Sequence, residues 1–288
     1  MHLGILPHEY RKTKNLALMP IRLLIWPDQE PPICEKLGDL GKDSHIVIYP
    51  SSLMLFRSHN KLACKVSLML AEPRSIHWKY YRMMAILRWK FSYIITRYSQ
   101  FSDRYSRVLT MPVVESWVKP NANNVLQAKK KLCSIIASGK AEQVGHILRH
   151  STVDWIRKNT LAVDVLGRGY QPFEEKEDGL LLYNYSVIIE NCQETDYFSE
   201  KLLDCILCNT IPIYWGCPNI SDYFDVTGFL ICNTEHELRT SIKNLIKPSK
   251  KQLAANTRNQ ATATSLSLLN NRVNSTIRAQ AICNFPIN

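Results

Sequence analysis

Between Tyr185 and Trp215 the pattern of apolar residues changes period twice, and this constrains the fold more than any other feature of the chain. Tyr185-Ser-Val-Ile-Ile-Glu190 is β-branched and alternating, so it reads as a strand arriving at Glu190 and Asn191. Residues 192–196 are polar and make the turn. From Tyr197 the apolar positions Leu202, Leu203, Ile206 and Leu207 fall at helical spacing, with Asp196 placed to cap the amino end. Ile211-Pro-Ile-Tyr-Trp215 is strand-like again, and Gly216 ends it. In such a unit the loop after the first strand and the first helical turn face the ligand crevice, where free backbone N–H groups and the helix dipole favour an anion.

The same alternation runs through the rest of the chain. Residues 22–26, 45–49, 65–70 and 93–96 are predicted strands, each followed by polar or proline-containing sequence. Residues 131–137 read as a further strand and residues 151–158 as a helix. The Asn- and Pro-rich stretch at 119–125 breaks the rhythm and is the expected interdomain link. Two α/β halves around such a link imply two Rossmann-like domains with the active site in the cleft between them. The expected division is residues 1–120, residues 121–248, and a basic, polar tail at 249–288 that is disordered, a divergent helix or an altered end.

Charge and cysteine usage narrow the function. The net charge is +11, but no acidic residue follows Glu237, and eight bases from Arg239 to Arg278 place eight of those charges in the last 51 residues. The body carries only +3, ordinary for an enzyme that holds a diphosphate. The tail lacks the interleaved aromatics of single-strand binders, so no nucleic-acid partner is expected, while peripheral membrane contact through the tail stays open. No apolar run reaches the roughly 18 residues that cross a bilayer. Nine cysteines at irregular spacing fit a reduced, cytoplasmic setting better than secretion. The C-x-x-C at Cys205 and Cys208 lies in an apolar helical pattern without a second pair, so it reads as packing rather than metal.

Glu200 and Lys201 occupy the first helical turn after the turn segment, where Lys201 can contact a diphosphate oxygen and Glu200 can accept hydrogen bonds from sugar or ribose hydroxyls. By spacing alone the two also read as a solvated surface pair. Tyr183-x-Tyr185, Glu190-Asn191, Tyr197-Phe-Ser-Glu200-Lys201, Asp204, Ile211-Pro-Ile-Tyr-Trp-Gly216, Pro218-Asn-Ile220 and Asp222-Tyr223-Phe224 stand in order without gaps. Together they resemble the donor-binding domain of the family 10 glycosyltransferases, the α1,3-fucosyltransferases. The resemblance implies a GT-B fold and a GDP-fucose donor, with Tyr197, Glu200 and Lys201 at guanosine, ribose and diphosphate. It places Glu190 and Asn191 in the same pocket, or in closing the turn. It also implies a diphosphate-binding arginine, which His146-Ile-Leu-Arg149 supplies as Arg149, an always-charged group with paired donors.

An inverting transfer needs one carboxylate to accept the proton of the acceptor hydroxyl, because the departing diphosphate needs no acid. The family carries that base just after a strand and before a proline, which matches Met69-Leu-Ala-Glu72-Pro73 and nominates Glu72. Phe91-Ser-Tyr-Ile-Ile-Thr96 resembles the neighbouring strand, and Asp103 and Glu115 are the fallback bases. The chain has no Asp-x-Asp, so a metal-independent reaction without a cofactor is expected, with a glycan as acceptor. A different nucleotide sugar, or donor binding without turnover, are the alternatives.

Overall fold

The computed structural model describes residues 1–27, 29–56, 59, 61–118 and 128–283. They form two compact α/β units, one built from Met1–Val113 with the chain from Leu269 onward, the other from Val114–Leu268. In the first unit, five parallel strands run in the order β1 (Leu3–Ile5), β2 (His45–Ile48), β3 (Lys65–Leu70), β4 (Ile94–Thr96), β5 (Val108–Thr110). Helices α1 (Ser52–Phe56), α2 (Arg74–Leu87) and α3 (Ser99–Arg104) connect them. The strands are short and mostly apolar, as strands covered on both faces must be.

The second unit contains β6 (Lys131–Ile136), β7 (Val163–Leu166), β8 (Tyr183–Ile189), β9 (Ile211–Trp215) and β10 (Leu230–Ile231), paired in parallel in the order β10-β9-β8-β6-β7. Helices α4 (Val144–Lys158), α5 (Glu200–Leu207), α6 (Glu235–Lys243) and α7 (Lys250–Ser267) cover it. On one face α4 and α6 pack through Leu148, Val153, Ile156, Leu238 and Ile242. On the other, α5 buries Leu202, Leu203, Ile206 and Leu207. Pro212 sits inside β9 without harm. The Tyr214 carbonyl accepts from Cys232, so Pro212, two residues earlier, aims its missing donor toward β10, which begins pairing only at Ile213. The order reverses between β6 and β8, and the crevice at such a switch point is where open α/β sheets bind ligands.

Two expectations are corrected here. Residues 22–26 are not a strand. Pro20 opens a 3-10 turn at Ile21–Leu23, and Ile25 makes a single antiparallel bridge to Ile5. The first strand is instead Leu3–Ile5, too short to show a period, and Gly4 leaves the room that Leu24 and Trp26 fill above it. The helix expected at 151–158 begins earlier, at Val144. The link expected at 119–125 lies outside the described residues, and the division by contacts falls at Val113 and Val114.

Within the expected tail at 249–288, the described residues Lys250–Ser267 and Leu269–Cys283 are helical. Ser249 caps α7, accepting from the Gln252 N–H. Asn259 exchanges hydrogen bonds with the backbone of Asp225, and Asn256 donates to Asn209 and Thr210, so buried asparagines replace the apolar stripe. The chain continues into α8 (Leu269–Cys283), which returns to the first unit. Leu269, Val273 and Ile277 share one helix face and join Leu3, Val47, Met69 and Ile95 in its core. Arg272 donates to the Pro112 carbonyl at 2.6 Å and Arg278 to Gln29 at 2.9 Å, while Arg239 pairs with Glu235 and Arg258 with Asp225. Half of the eight bases are thus held by partners. Among the described residues no helix is long and apolar enough to cross a membrane.

Because Ile277 is fully buried in the first unit, Ile277→Ala is expected to destabilise that unit by about 2–5 kcal/mol in urea unfolding. An unchanged midpoint would show that α8 contributes no packing.

Candidate functional site

The site is organised by the end of β8. Its backbone ladder continues one residue past the strand, where the Glu190 N–H donates to Trp215 at 2.9 Å, and this carries the Glu190 side chain to the carboxyl edge of the sheet. Glu190 is 0% exposed, so its charge must be met from within the protein. One carboxylate oxygen accepts from the Ser199 N–H at 2.9 Å and the other from the Ser199 hydroxyl at 2.6 Å. Ser199 is also the N-cap of α5, and its hydroxyl accepts from the Lys201 backbone. The carboxylate therefore lies at the positive end of that helix.

Lys201 folds back over this cap. Its ammonium donates to the Ser199 hydroxyl and to Glu200, both at 3.1 Å, and lies 3.9 Å from Glu190. Glu200 would be pushed up by burial, but Lys201 and then Lys176 outweigh that and hold its carboxyl below the usual range. The pair that spacing alone left open as a solvated surface pair is partly buried and tied to the helix start. Its neighbour Tyr197 is 3% exposed.

Asp196 does not cap α5, contrary to the expectation from its position. It adopts a left-handed backbone, φ 63°, and its carboxylate accepts from Asn219 and from the Tyr223 hydroxyl, both at 2.8 Å. Asn219 in turn accepts from the Asp196 N–H at 2.9 Å. The Pro218-Asn-Ile and Asp222-Tyr-Phe segments therefore fasten the loop ahead of α5.

The start of α4 closes the other side. The Gly145 N–H donates to the Asn191 carbonyl at 3.0 Å, and a Cβ at Gly145 would stand 1.7 Å from the Glu190 carbonyl oxygen. Only glycine permits this approach. One turn later Arg149, 4% exposed, donates to the Ile189 carbonyl at 2.5 Å. Burial lowers its pKa, while Glu190, Glu200 and Tyr197 oppose the shift, so this cation faces the same group of acids. Arg149 lies inside the helix rather than ahead of it.

Three residues beside the site were not foreseen as parts of it. His146 shares the inner face of α4 with Arg149; burial first, then the charges of Arg149 and Lys201, lower its pKa despite a hydrogen bond with Asn191. Ser199 bridges Glu190 and Lys201. Lys176 pairs with buried Asp204 at 2.5 Å and lies 4.4 Å from the Trp117 ring. Asp204 also accepts from the Trp117 N–H at 3.0 Å and pins that segment to α5. The i, i+3 spacing of His146 and Arg149 was the available signal; the contacts of Ser199 and Lys176 are long-range. Next to the site, a groove of about 430 Å³ runs over Trp215, with Val144, Ile147 and Gln193 among its walls.

Glu72 belongs to the first unit. It follows β3 and precedes Pro73, which begins α2, so it stands at the carboxyl edge of that sheet as the sequence predicted. It is partly exposed, and its charge raises the pKa of His8 against the larger effect of burial. Nearby, the Tyr81 hydroxyl bonds Thr96, the last residue of β4, at 2.8 Å. The fallback bases Asp103 and Glu115 are both exposed. Cys205 and Cys208 are fully buried; burial drives the first thiol far up and the second to about 12, so both are packing groups.

Comparison with known proteins bears on the second unit most directly. Residues 126–251 match the family description "Glycosyltransferase family 10 (fucosyltransferase) C-term". An alpha-(1,3)-fucosyltransferase, FucT, of Helicobacter pylori is 33% identical over 73 residues, 25% of this chain and 14% of that protein. A fucosyltransferase-like protein of Arabidopsis thaliana is 25% identical over 145 residues, 49% of this chain and 27% of that protein. The matched stretches thus span well under a third of these relatives. In fold, the chain is similar to Anabaena Alr3699/HepE, solved with UDP and glucose, at a TM-score of 0.58 and 13% identity over 81% of this chain and 78% of that one. The fold is of the GT-B type, with two Rossmann-like units.

Two measurements test the local architecture. Ser199→Ala removes a helix cap and a partner of Glu190, and is expected to cost about 1–2 kcal/mol in urea unfolding, with Ser199→Thr restoring most of it. The depressed Glu200 pKa means that its pairing contributes stability above the ordinary carboxylate range and loses it as pH falls through the folded value. Glu200→Gln is therefore expected to lower stability near neutral pH and to match the wild type once the pH has fallen below the depressed folded value. An equal loss at both pH values would show that charge is not the source.

Proposed function

We propose, on the premise that residues 126–251 are a family 10 glycosyltransferase C-terminal domain, that the chain transfers fucose from GDP-fucose to a glycan hydroxyl with inversion. The observation that carries this reading is the gathering of two cations, Arg149 and Lys201, around the buried Glu190 at the start of α5. A diphosphate at that helix end would meet the positive end of the helix dipole and both cations. On its arrival Lys201 exchanges its bond to Glu200 for one to phosphate, and Glu200 is released to accept from ribose hydroxyls. Asn191 lines the pocket beside His146. Tyr197 serves the nucleoside as a buried floor rather than an open stacking surface.

In the proposed reaction Glu72 removes the proton from the acceptor hydroxyl. The resulting oxygen attacks the anomeric carbon of fucose, and the bond from that carbon to the phosphate oxygen breaks, its electron pair passing to GDP. Arg149 and Lys201 stabilise the charge that develops on the diphosphate, the largest contribution such a site can make. In this reading the cations do the work of a metal, and no cofactor takes part.

Donor titration by calorimetry and a transfer assay test the assignments together. Lys201→Ala is expected to weaken GDP-fucose binding about tenfold or more. Glu72→Gln is expected to leave donor binding intact and lower kcat by about 100- to 10,000-fold. Chelation with EDTA is expected to leave the rate unchanged. Tighter binding of UDP-glucose or GDP-mannose than of GDP-fucose would replace the donor, and full activity in Glu72→Gln would remove its role as base.

A further inference from the structure

The helix after Glu72 carries surface chemistry that a sugar-nucleotide site does not use. Together α2 and the 3-10 turn Arg88–Lys90 hold Arg74, Lys79, Arg82, Arg88 and Lys90, and no acidic residue. One side of α2 is core: Tyr81 and Met84 are buried, with Tyr80, Met83 and Leu87 packed against the same cluster. On the other side Trp78, Arg82, Ile86 and Trp89 follow at helical spacing and make one exposed stripe. Trp78 is 48% exposed, Ile86 74% and Trp89 71%.

Cations flank the apolar groups along this stripe. The Lys79 ammonium and Arg82 guanidinium lie 5.6 and 5.7 Å from the Trp78 ring, and Lys90 lies 5.8 Å from Trp89. Arg88 and Arg104 share the ring of Tyr105 at 4.6 and 5.5 Å. The acids nearest in sequence are Glu72 ahead of α2 and Asp103 on α3.

A helix with tryptophan and isoleucine outward, cations beside them and no acid is suited to the boundary between lipid headgroups and acyl chains. There the apolar groups leave water while lysine and arginine reach anionic headgroups. We propose that α2 and the turn after it form a membrane-interface element that docks the first unit on an anionic lipid surface, lying in the plane of that surface without crossing it. A nucleic acid fits this stripe less well, because base stacking needs an open ring face and cations already flank Trp78. In this proposal the membrane contact lies on α2 and not on the C-terminal segment, where Arg239, Arg258, Arg272 and Arg278 have side-chain or backbone partners.

Sedimentation of the full chain with vesicles tests this, using phosphatidylcholine alone or mixed with phosphatidylserine. The wild type is expected to bind the mixed vesicles and to be released by salt. The triple variant Trp78→Ser, Ile86→Ser, Trp89→Ser is expected to lose about tenfold or more in partitioning. Lys79→Gln with Arg82→Gln is expected to weaken binding to mixed vesicles only, and Lys250→Gln with Lys251→Gln on α7 to change nothing. All these side chains are exposed, and an unchanged urea midpoint verifies folding. Should the triple variant not fold, brominated lipid must quench wild-type tryptophan fluorescence more than that of Trp78→Phe, Trp89→Phe. The proposal is overturned by absent vesicle binding, by binding that survives the triple variant, by loss in the α7 variant, by no difference in quenching, or by binding of single-stranded oligonucleotide in place of vesicles.

Discussion

A carboxylate buried at the end of a strand is the constraint on which the second unit depends. Glu190 cannot be left uncompensated, because an unpaired buried charge costs far more than a typical contact returns. Ser199 meets it twice, and in doing so sets where α5 begins and which way its first turn faces. That turn carries Glu200 and Lys201. The closeness of Gly145 to the Glu190 carbonyl then draws α4 against the same strand end and brings Arg149 to the same acids. One buried charge thus gathers two cations, Arg149 and Lys201, at one strand end.

The surroundings of that carboxylate are also what keeps the site polar without loosening it. Asp196 is tied to Asn219 and Tyr223, and Asp204 to Lys176 and the backbone at Trp117. Each of these acids lies on the inner side of its segment and answers to a partner far away in sequence.

The return of the chain to the first unit follows a different logic. The last segment reads as polar because α7 uses Asn256 and Asn259 as buried hydrogen-bonding groups where apolar residues are usual. The apolar positions of α8 are few, but they lie on one face and fall against β1, β2, β3 and β4. Arg272 reaches the Pro112 carbonyl, and Arg278, though exposed, donates to Gln29. A count of charge over this region therefore overstates how much of it is free to meet a polyanion.

The sequence by itself determined the parallel α/β class, the strand, helix, strand unit from Tyr185 to Trp215, and the position of Glu190 at the strand end and of Glu200 and Lys201 in the first helical turn. These are local or periodic properties, legible from burial alternation and helical spacing. The place of Glu72 after a strand was legible for the same reason. Only the tertiary structure decided that Ser199 rather than Asp196 caps α5, that His146 and Lys176 join the site, that Leu3–Ile5 is the first strand, and that α8 completes the first unit. Each of these depends on partners distant in sequence, and a cap, a buried asparagine or a three-residue strand carries no period that could announce which partner the fold will supply.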